Sequence, residues 1–117
     1  MKTVSNETGF VVSKEDSIKF LEEKLSYLGL NEREANEFII YWLPILERNN
    51  YNLIHFLTEE EVNEIVPLEI SKEPDTMIRV YIQITPLNEY KEVKEQKLVS
   101  KTRKGFTSVD WGGILIK

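Results

Sequence analysis

One residue, Leu30, separates the stop signal of a first amphipathic helix from the start signal of a second, and this spacing constrains the fold more than anything else in the chain. Gly29 supplies the stop, because glycine reaches the left-handed C-terminal conformation without a Cβ penalty. Asn31 followed by Glu34 supplies the start, a side-chain acceptor for the third helical amide with a glutamate placed to answer the N-cap amide. Ser13 with Asp16 sets up the same arrangement at the head of the first helix, with the acid near the positive end of the helix dipole. Between these signals Ile18, Leu21, Leu25 and Leu28 fall on one predicted apolar stripe. Two helices joined this tightly must turn sharply against each other.

The second helix carries a broad apolar face of Ala35, Phe38, Ile39, Trp42 and Leu46, with Glu32, Arg33, Glu37 and Glu47 elsewhere. Pro44 removes an amide donor and crowds the carbonyl one turn back, which predicts a kink or a loosened last turn near Tyr41. Asn49-Asn50 ends the helix. Neighbouring helical residues point about 100° apart, so Trp42 and Tyr41 do not face the same core centre. Ile40 and Tyr41 are therefore candidates for an exposed apolar patch that meets a partner, unless a sheet wraps both sides of the helix.

Outside the helix pair the period changes. Phe10-Val11-Val12 reads as an edge strand or as a hydrophobic staple entering the first helix, and Leu53 to Leu57 is a compact run rich in strand formers. Thr58 to Glu61 opens a short helix that ends before Pro67, and Leu68 to Ser71 suggests a brief strand. Thr76 to Thr85 is the clearest strand, because Ile78, Val80, Ile82 and Ile84 alternate with Met77, Arg79, Tyr81 and Gln83. Pro86 is expected to close it. Residues 88–104 mix charges with sparse apolar positions and read either as a mobile loop or as a solvated strand followed by a crossing back to the sheet. The end, Gly105 to Ile116, reads as a strand, a bend at Gly112-Gly113 and a final strand continuation. The expected fold is α+β, a helix pair packed on a small, mainly antiparallel sheet, with a disordered polar tail over residues 1–8 and a single domain over 9–117.

A chain of 117 residues that is 41% hydrophobic and 10% aromatic has enough apolar material for one real core, which argues against disorder. Twenty acidic residues against fifteen basic ones, a net charge of −5, oppose direct contact with a phosphate backbone. With no cysteine, the chain has neither a disulfide framework nor a thiolate zinc site nor a cysteine nucleophile. Neither a signal-peptide core nor a run long enough to span a bilayer is present, so the sequence as it stands reads as cytoplasmic. Lysine outnumbers arginine eleven to four in a chain rich in Ile, Asn and Glu, a bias that suggests an AT-rich bacterial or phage source.

No set of residues has the spacing of a catalytic or metal-binding motif. His55 is the lone histidine and sits inside an apolar run, where a packed strand histidine accounts for it better than an acid-base group. Glu59, Glu60, Glu61 and Glu64 lack the alternating ligands and turn glycine of a calcium loop and fit a solvated first turn of a helix. Asp110-Trp111 beside Gly112-Gly113 permits close approach of a ligand or a strand, against the simpler reading of a tryptophan anchoring a bulge; the glycine pair lacks the spacing and lysine of a phosphate loop. Arg79 and Tyr81, together on one side of the strongest strand, are candidates for a contact face. Expected partner-binding residues are thus Ile40, Tyr41, Arg79, Tyr81, Asp110 and Trp111, with no metal ligand, cofactor or catalytic residue assigned.

Four stretches carry a resemblance: Asn31 to Pro44, Tyr51 to Ile54, Pro74 to Val80 and Gly105 to Gly113. Together they resemble a domain that recurs at the C-terminus of uncharacterised bacterial proteins, the likeness running from Gly9 through nearly the whole chain. That family has no known activity, so the resemblance implies no catalytic residue. It implies a position after β-rich sequence, often in an envelope protein or lipoprotein, and hence a cell-envelope location if the chain is a piece of a longer secreted protein. Here Met1 stands almost at the domain boundary, which fits either a trimmed piece or a small stand-alone protein. The expected function is a non-enzymatic protein-protein interaction module. One alternative is a small acidic inhibitor of a basic nucleic-acid-binding complex, of the phage anti-CRISPR kind; another is an enzyme using Asp110, Glu64 or His55.

Overall fold

Alternation along one strand and two capping signals build most of the architecture, seen in a computed structural model that describes residues 8–67 and 74–116. In chain order the elements are β1 (Thr8–Ser13), α1 (Ser17–Tyr27), α2 (Glu32–Leu46), β2 (Tyr51–Phe56), α3 (Glu59–Ile65), β3 (Thr76–Leu87), β4 (Lys94–Glu95) and β5 (Thr107–Leu115). The strands form one sheet in the order β4-β1-β2-β3-β5. Its centre, β1-β2-β3, is antiparallel, while β4 joins β1 and β5 joins β3 in parallel. The fold is α+β with the N-terminal helix pair packed on the sheet, as expected, but the sheet is mixed where a mainly antiparallel one was expected, because β5 pairs with β3 in parallel over its whole length. Of the predicted tail, residues 1–7 lie outside the described residues and Thr8 already belongs to β1; the brief strand expected at Leu68 to Ser71 also lies wholly outside them.

The helix hairpin follows its caps. At α2 both halves of the capping box are made, with the Glu34 amide donating to Asn31 Oδ1 at 2.9 Å and the Asn31 amide donating to Glu34 Oε1 at 2.8 Å. Gly29 has φ 101°, the left-handed turn that ends α1 and leaves only Leu30 before Asn31, the N-cap of α2. At the head of α1 the Ser13 hydroxyl accepts from the Asp16 amide, but it caps a single 3₁₀ turn over Lys14–Asp16 before α1 starts. The buried residues of α1 are Ser17, Leu21 and Leu25, with Phe20 and the C-cap Leu28 partly buried beside them, whereas Ile18, expected on the stripe, is 46% exposed in the first turn. α2 continues through Pro44 to Leu46. Its end is secured from outside the helix: the buried Asn52 of β2 donates to the Leu46 carbonyl at 2.7 Å and accepts from Asn49 at 3.1 Å.

The main core lies between this hairpin and one face of the sheet. Leu21, Leu25, Phe38 and Leu46 from the helices meet Ile54, Ile82 and Ile84 from the strands, all fully buried. Burying each such side chain favours folding by about 1.5–3 kcal/mol. α1 covers the β1-β2 side through contacts of Phe20 with Phe10 and Phe56, and α2 covers the β3-β5 side through contacts of Phe38 with Trp111. The short α3, closed at its start by the Thr58-Glu61 capping box, packs against the opposite face.

Two expectations for the strands are corrected. Pro86 does not end β3, which runs on to Leu87 with Pro86 opposite Asn52. Its missing N–H would point to the β5 side, where β5 has already stopped opposite Ile84, so no ladder bond is lost. Gly112-Gly113 is neither a bend nor a bulge: β5 keeps one unbroken register against β3 from Thr76↔Thr107 to Ile84↔Leu115. For residues 88–104 the crossing is the form observed. After β4 at one edge of the sheet, the chain passes beneath the turn of the helix hairpin and enters β5 at the other edge.

Candidate functional site

Strand alternation sends Ile78, Val80, Ile82 and Ile84 of β3 to the helix face and Arg79, Tyr81 and Gln83 to the other. The parallel register then sets Asp110 of β5 directly beside Arg79. Arg79 Nε donates to Asp110 Oδ1 at 3.0 Å and Nη2 to Oδ2 at 3.1 Å, while the Tyr81 hydroxyl donates to the same Oδ2 at 2.7 Å. The rest of the guanidinium reaches α3, with Nη1 donating to Asn63 Oδ1 at 2.8 Å and Nη2 to the Val66 carbonyl at 2.7 Å. Only 3% of the Arg79 side chain is exposed. Burial works to lower the Arg79 pKa, and the hydrogen bond and charge of Asp110 outweigh it, so the guanidinium is held charged more firmly than usual. Burial pushes the Tyr81 hydroxyl upward, its hydrogen bond to Asp110 adds to the rise, and Arg79 opposes it.

This cluster joins three of the expected contact residues, but its donors are already engaged in tying α3 to the sheet. Gly112 is part of the same arrangement, since a Cβ there would come within 2.7 Å of the Tyr81 ring. Trp111, the next residue, emerges on the helix face, with its ring 5.3 Å from Phe38 and 5.8 Å from Tyr41. Gly113 in turn makes room for Trp42, whose ring lies 2.7 Å from where a Cβ would stand. Ile40 and Tyr41 are both exposed, 74% and 57%, yet the predicted patch is divided: Tyr41 leans toward Trp111, whereas Ile40 points about 100° further around the helix.

Tyr41 and Trp111 flank the free edge of the sheet. Among the described residues β5 has β3 on one side and no strand on the other. The amide of Ile116 donates to Ile84, so the even-numbered residues of β5 bond to β3 and the odd-numbered ones, Thr107, Val109, Trp111, Gly113 and Leu115, aim their N–H and C=O groups outward. An edge is normally protected by a proline, a lysine, a bulge or a short strand. β5 has none of these over nine residues, and its one charged side chain, Asp110, is paired with Arg79.

A second opening lies on the other side of β3. The bond from the Leu57 amide to Tyr81 is the last rung between β2 and β3. Below it, Met77 and Arg79 turn their backbones toward a cavity of about 400 Å³ whose far wall is the crossing segment 96–101. Gln96 fastens that wall, its side-chain amide accepting from the Phe56 N–H at 2.9 Å and donating to the Phe56 carbonyl at 2.6 Å. Arg103 fastens the next stretch by pairing with Glu34 and donating to the Gly29 carbonyl. The Arg103 hydrogen bond, set against a smaller opposing effect of burial, holds the Glu34 carboxyl below its usual range.

His55 is buried, with Nδ1 2.9 Å from the Thr8 carbonyl and Nε2 3.4 Å from Glu61. A carbonyl only accepts, so Nδ1 carries a proton in this arrangement. Glu61 is the orienting partner that the sequence did not reveal, although the Thr58-Glu61 spacing places it on the first turn of α3. Glu59, Glu60 and Glu64 line an open surface depression with Thr58 and Asn63. Among the described residues no group of three potential metal-ligating side chains converges, and no helix is long and apolar enough to cross a membrane. Neither of these two openings brings together two of Asp110, Glu64 and His55. Asn63, Gln96 and Arg103 were not singled out from sequence, since each acts on a partner more than fifteen residues away.

No model of a known family matches the chain, and no characterised protein or solved structure is significantly similar to it.

Proposed function

We propose that the chain is a non-enzymatic protein-interaction module that binds a partner by accepting one of the partner's strands on the outer edge of β5. The observation that carries this reading is the unprotected edge itself: nine residues in unbroken register, with the outward backbone groups of Thr107, Val109, Trp111, Gly113 and Leu115 flanked by the half-covered rings of Trp111 and Tyr41. Main-chain pairing gives affinity and the aromatic flank gives selectivity. The resemblance to a C-terminal domain of bacterial envelope proteins agrees with such a role, because a domain that follows β-rich sequence has strands nearby to receive. The test is a comparison of wild type with Val109→Pro, which deletes one outward N–H and leaves the β3-β5 ladder intact. A partner recovered from the source organism should protect the amides of Val109, Trp111 and Gly113 from hydrogen exchange and should lose affinity for Val109→Pro. Equal binding to both proteins with those amides unprotected would refute the reading.

A charge asymmetry favours a second reading, a small inhibitor of a basic nucleic-acid-binding complex. Six of the fifteen basic residues fall within 91–104, leaving nine basic and eighteen acidic residues for the rest of the chain. An acidic surface of that kind would occupy a basic channel with strongly salt-dependent affinity. Binding to a nuclease complex that is indifferent to salt would exclude it.

A further inference from the structure

We infer that the strand received by β5 is the β5 of a second copy of this chain, paired antiparallel about Trp111; the inference rests on the reading of β5 as the binding edge. The outward-facing residues are distributed symmetrically about Trp111, with Thr107 and Val109 before it and Gly113 and Leu115 after it. Antiparallel pairing centred there sets Trp111 opposite Trp111 of the second copy, Val109 opposite Gly113 of the second copy and Thr107 opposite Leu115 of the second copy. Every outward N–H then meets an outward carbonyl on the other chain. A shift of register by one residue would instead oppose outward groups with groups already bonded to β3.

The side chains suit the same pairing. Val109 meets a glycine, so no bulk collides beside the central tryptophans, and the Tyr41 ring of each copy flanks the pair. On the other sheet face Asp110 falls opposite Gly112 and Ser108 opposite Ile114, so no like charges are directly opposed. Asp110, the one charge on the strand, is already neutralised by Arg79. The contact is also large enough. Nine residues make an edge about 30 Å long. Taking the shortest molecular extent, 23 Å, as its depth gives about 700 Å² per copy, close to the roughly 800 Å² of a standard stable interface.

The experiment uses the cross-strand pair Ser108 and Ile114, whose side chains lie half-buried on the face away from the main core. Light scattering on the wild-type protein at about 100 μM should give twice the 13.8 kDa mass of the chain. The double variant Ser108→Lys with Ile114→Lys places lysines opposite each other at two symmetric points and should weaken association by about tenfold. Ser108→Glu with Ile114→Lys makes both points complementary and should restore it. Circular dichroism confirms that each variant is folded; if the dilysine variant is not, Val109→Pro supplies the weakening arm. A wild-type protein that stays monomeric, or a dimer that the dilysine and Val109→Pro variants leave unchanged, overturns self-pairing. The monomeric result leaves the proposed function standing, because that is read from protection of the β5 amides by a different protein.

Discussion

Removing the Asp110 carboxylate should cost about twice as much as removing the Arg79 guanidinium, although the two form one ion pair. The reason is their unequal burial, since 3% of the Arg79 side chain is exposed against 30% of Asp110. In Asp110→Ala the guanidinium keeps Asn63 and the Val66 carbonyl but loses its counter-charge inside the protein, and the Tyr81 hydroxyl loses its acceptor. Breaking a buried pair from this side costs about 3–5 kcal/mol, and the partial exposure of the pair places the expectation near 3. In Arg79→Met the stem is replaced by apolar atoms, the carboxylate retains solvent and Tyr81, and the expected loss is about 1–2 kcal/mol. For a chain of 117 residues, 1 kcal/mol corresponds to about 4 °C, so the melting temperatures should fall by roughly 12 °C and 6 °C. The double variant should lie close to Arg79→Met alone, because with the guanidinium gone the carboxylate has little left to stabilise. Thermal and urea unfolding of the four proteins measure this cycle. Equal losses in the two single variants, or additivity in the double variant, would refute the argument that Arg79 is a buried charge compensated by Asp110.

Further outcomes follow from packing and titration. Gly113→Ala places a Cβ 2.7 Å from the Trp42 ring and 3.0 Å from the Ile82 carbonyl, so urea unfolding should show a loss of about 2 kcal/mol together with a shift in tryptophan emission. Asn52→Ala leaves the Leu46 carbonyl unpaired at the buried end of α2 and should destabilise by about 2 kcal/mol in the same assay, whereas Asn50→Ala should stay within about 0.5 kcal/mol. The raised pKa of Tyr81 means that the folded state favours the neutral phenol. Its contribution is present below the ordinary value of 10.0 and is lost as pH rises through the higher folded value, so the stability gap between wild type and Tyr81→Phe should narrow in that range. Glu34 is shifted the other way; its contribution is present above 4.5 and is lost as pH falls through the lower folded value, and the gap between wild type and Glu34→Gln should close under acid.

The helix hairpin was legible because everything that defines it is local. Gly29 and the Asn31-Glu34 box act within a few residues of themselves, and the apolar faces of α1 and α2 repeat at helical spacing. The β3 alternation was legible for the same reason, down to which residues are core and which face away. Errors arose where a local signal had a non-local neighbour. Pro86 marks a strand end only if its N–H is needed, and whether it is needed depends on where β5 stops. Ile18 shares a helical stripe with Leu25, but the packing over the first turn of α1 is decided outside the helix, and its side chain is 46% exposed. Gly112-Gly113 signals close approach in sequence, but its meaning as seats for Tyr81 and Trp42 required both rings to be placed.

The candidate site divides along the same line. By itself the sequence determined which residues carry unusual chemistry or exposure: Arg79 and Tyr81 on one side of a strand, Tyr41 off the core stripe, Asp110 and Trp111 beside a glycine pair. Their pairing is a matter of register, and register is set by tertiary packing. A parallel alignment of β5 with β3 brings Asp110 to Arg79 across thirty-one residues, turns Trp111 toward Tyr41 and leaves the outer backbone of β5 without a neighbouring strand among the described residues. Hydrophobic periodicity says which face of a strand is buried, but only the finished sheet decides which of its edges is free.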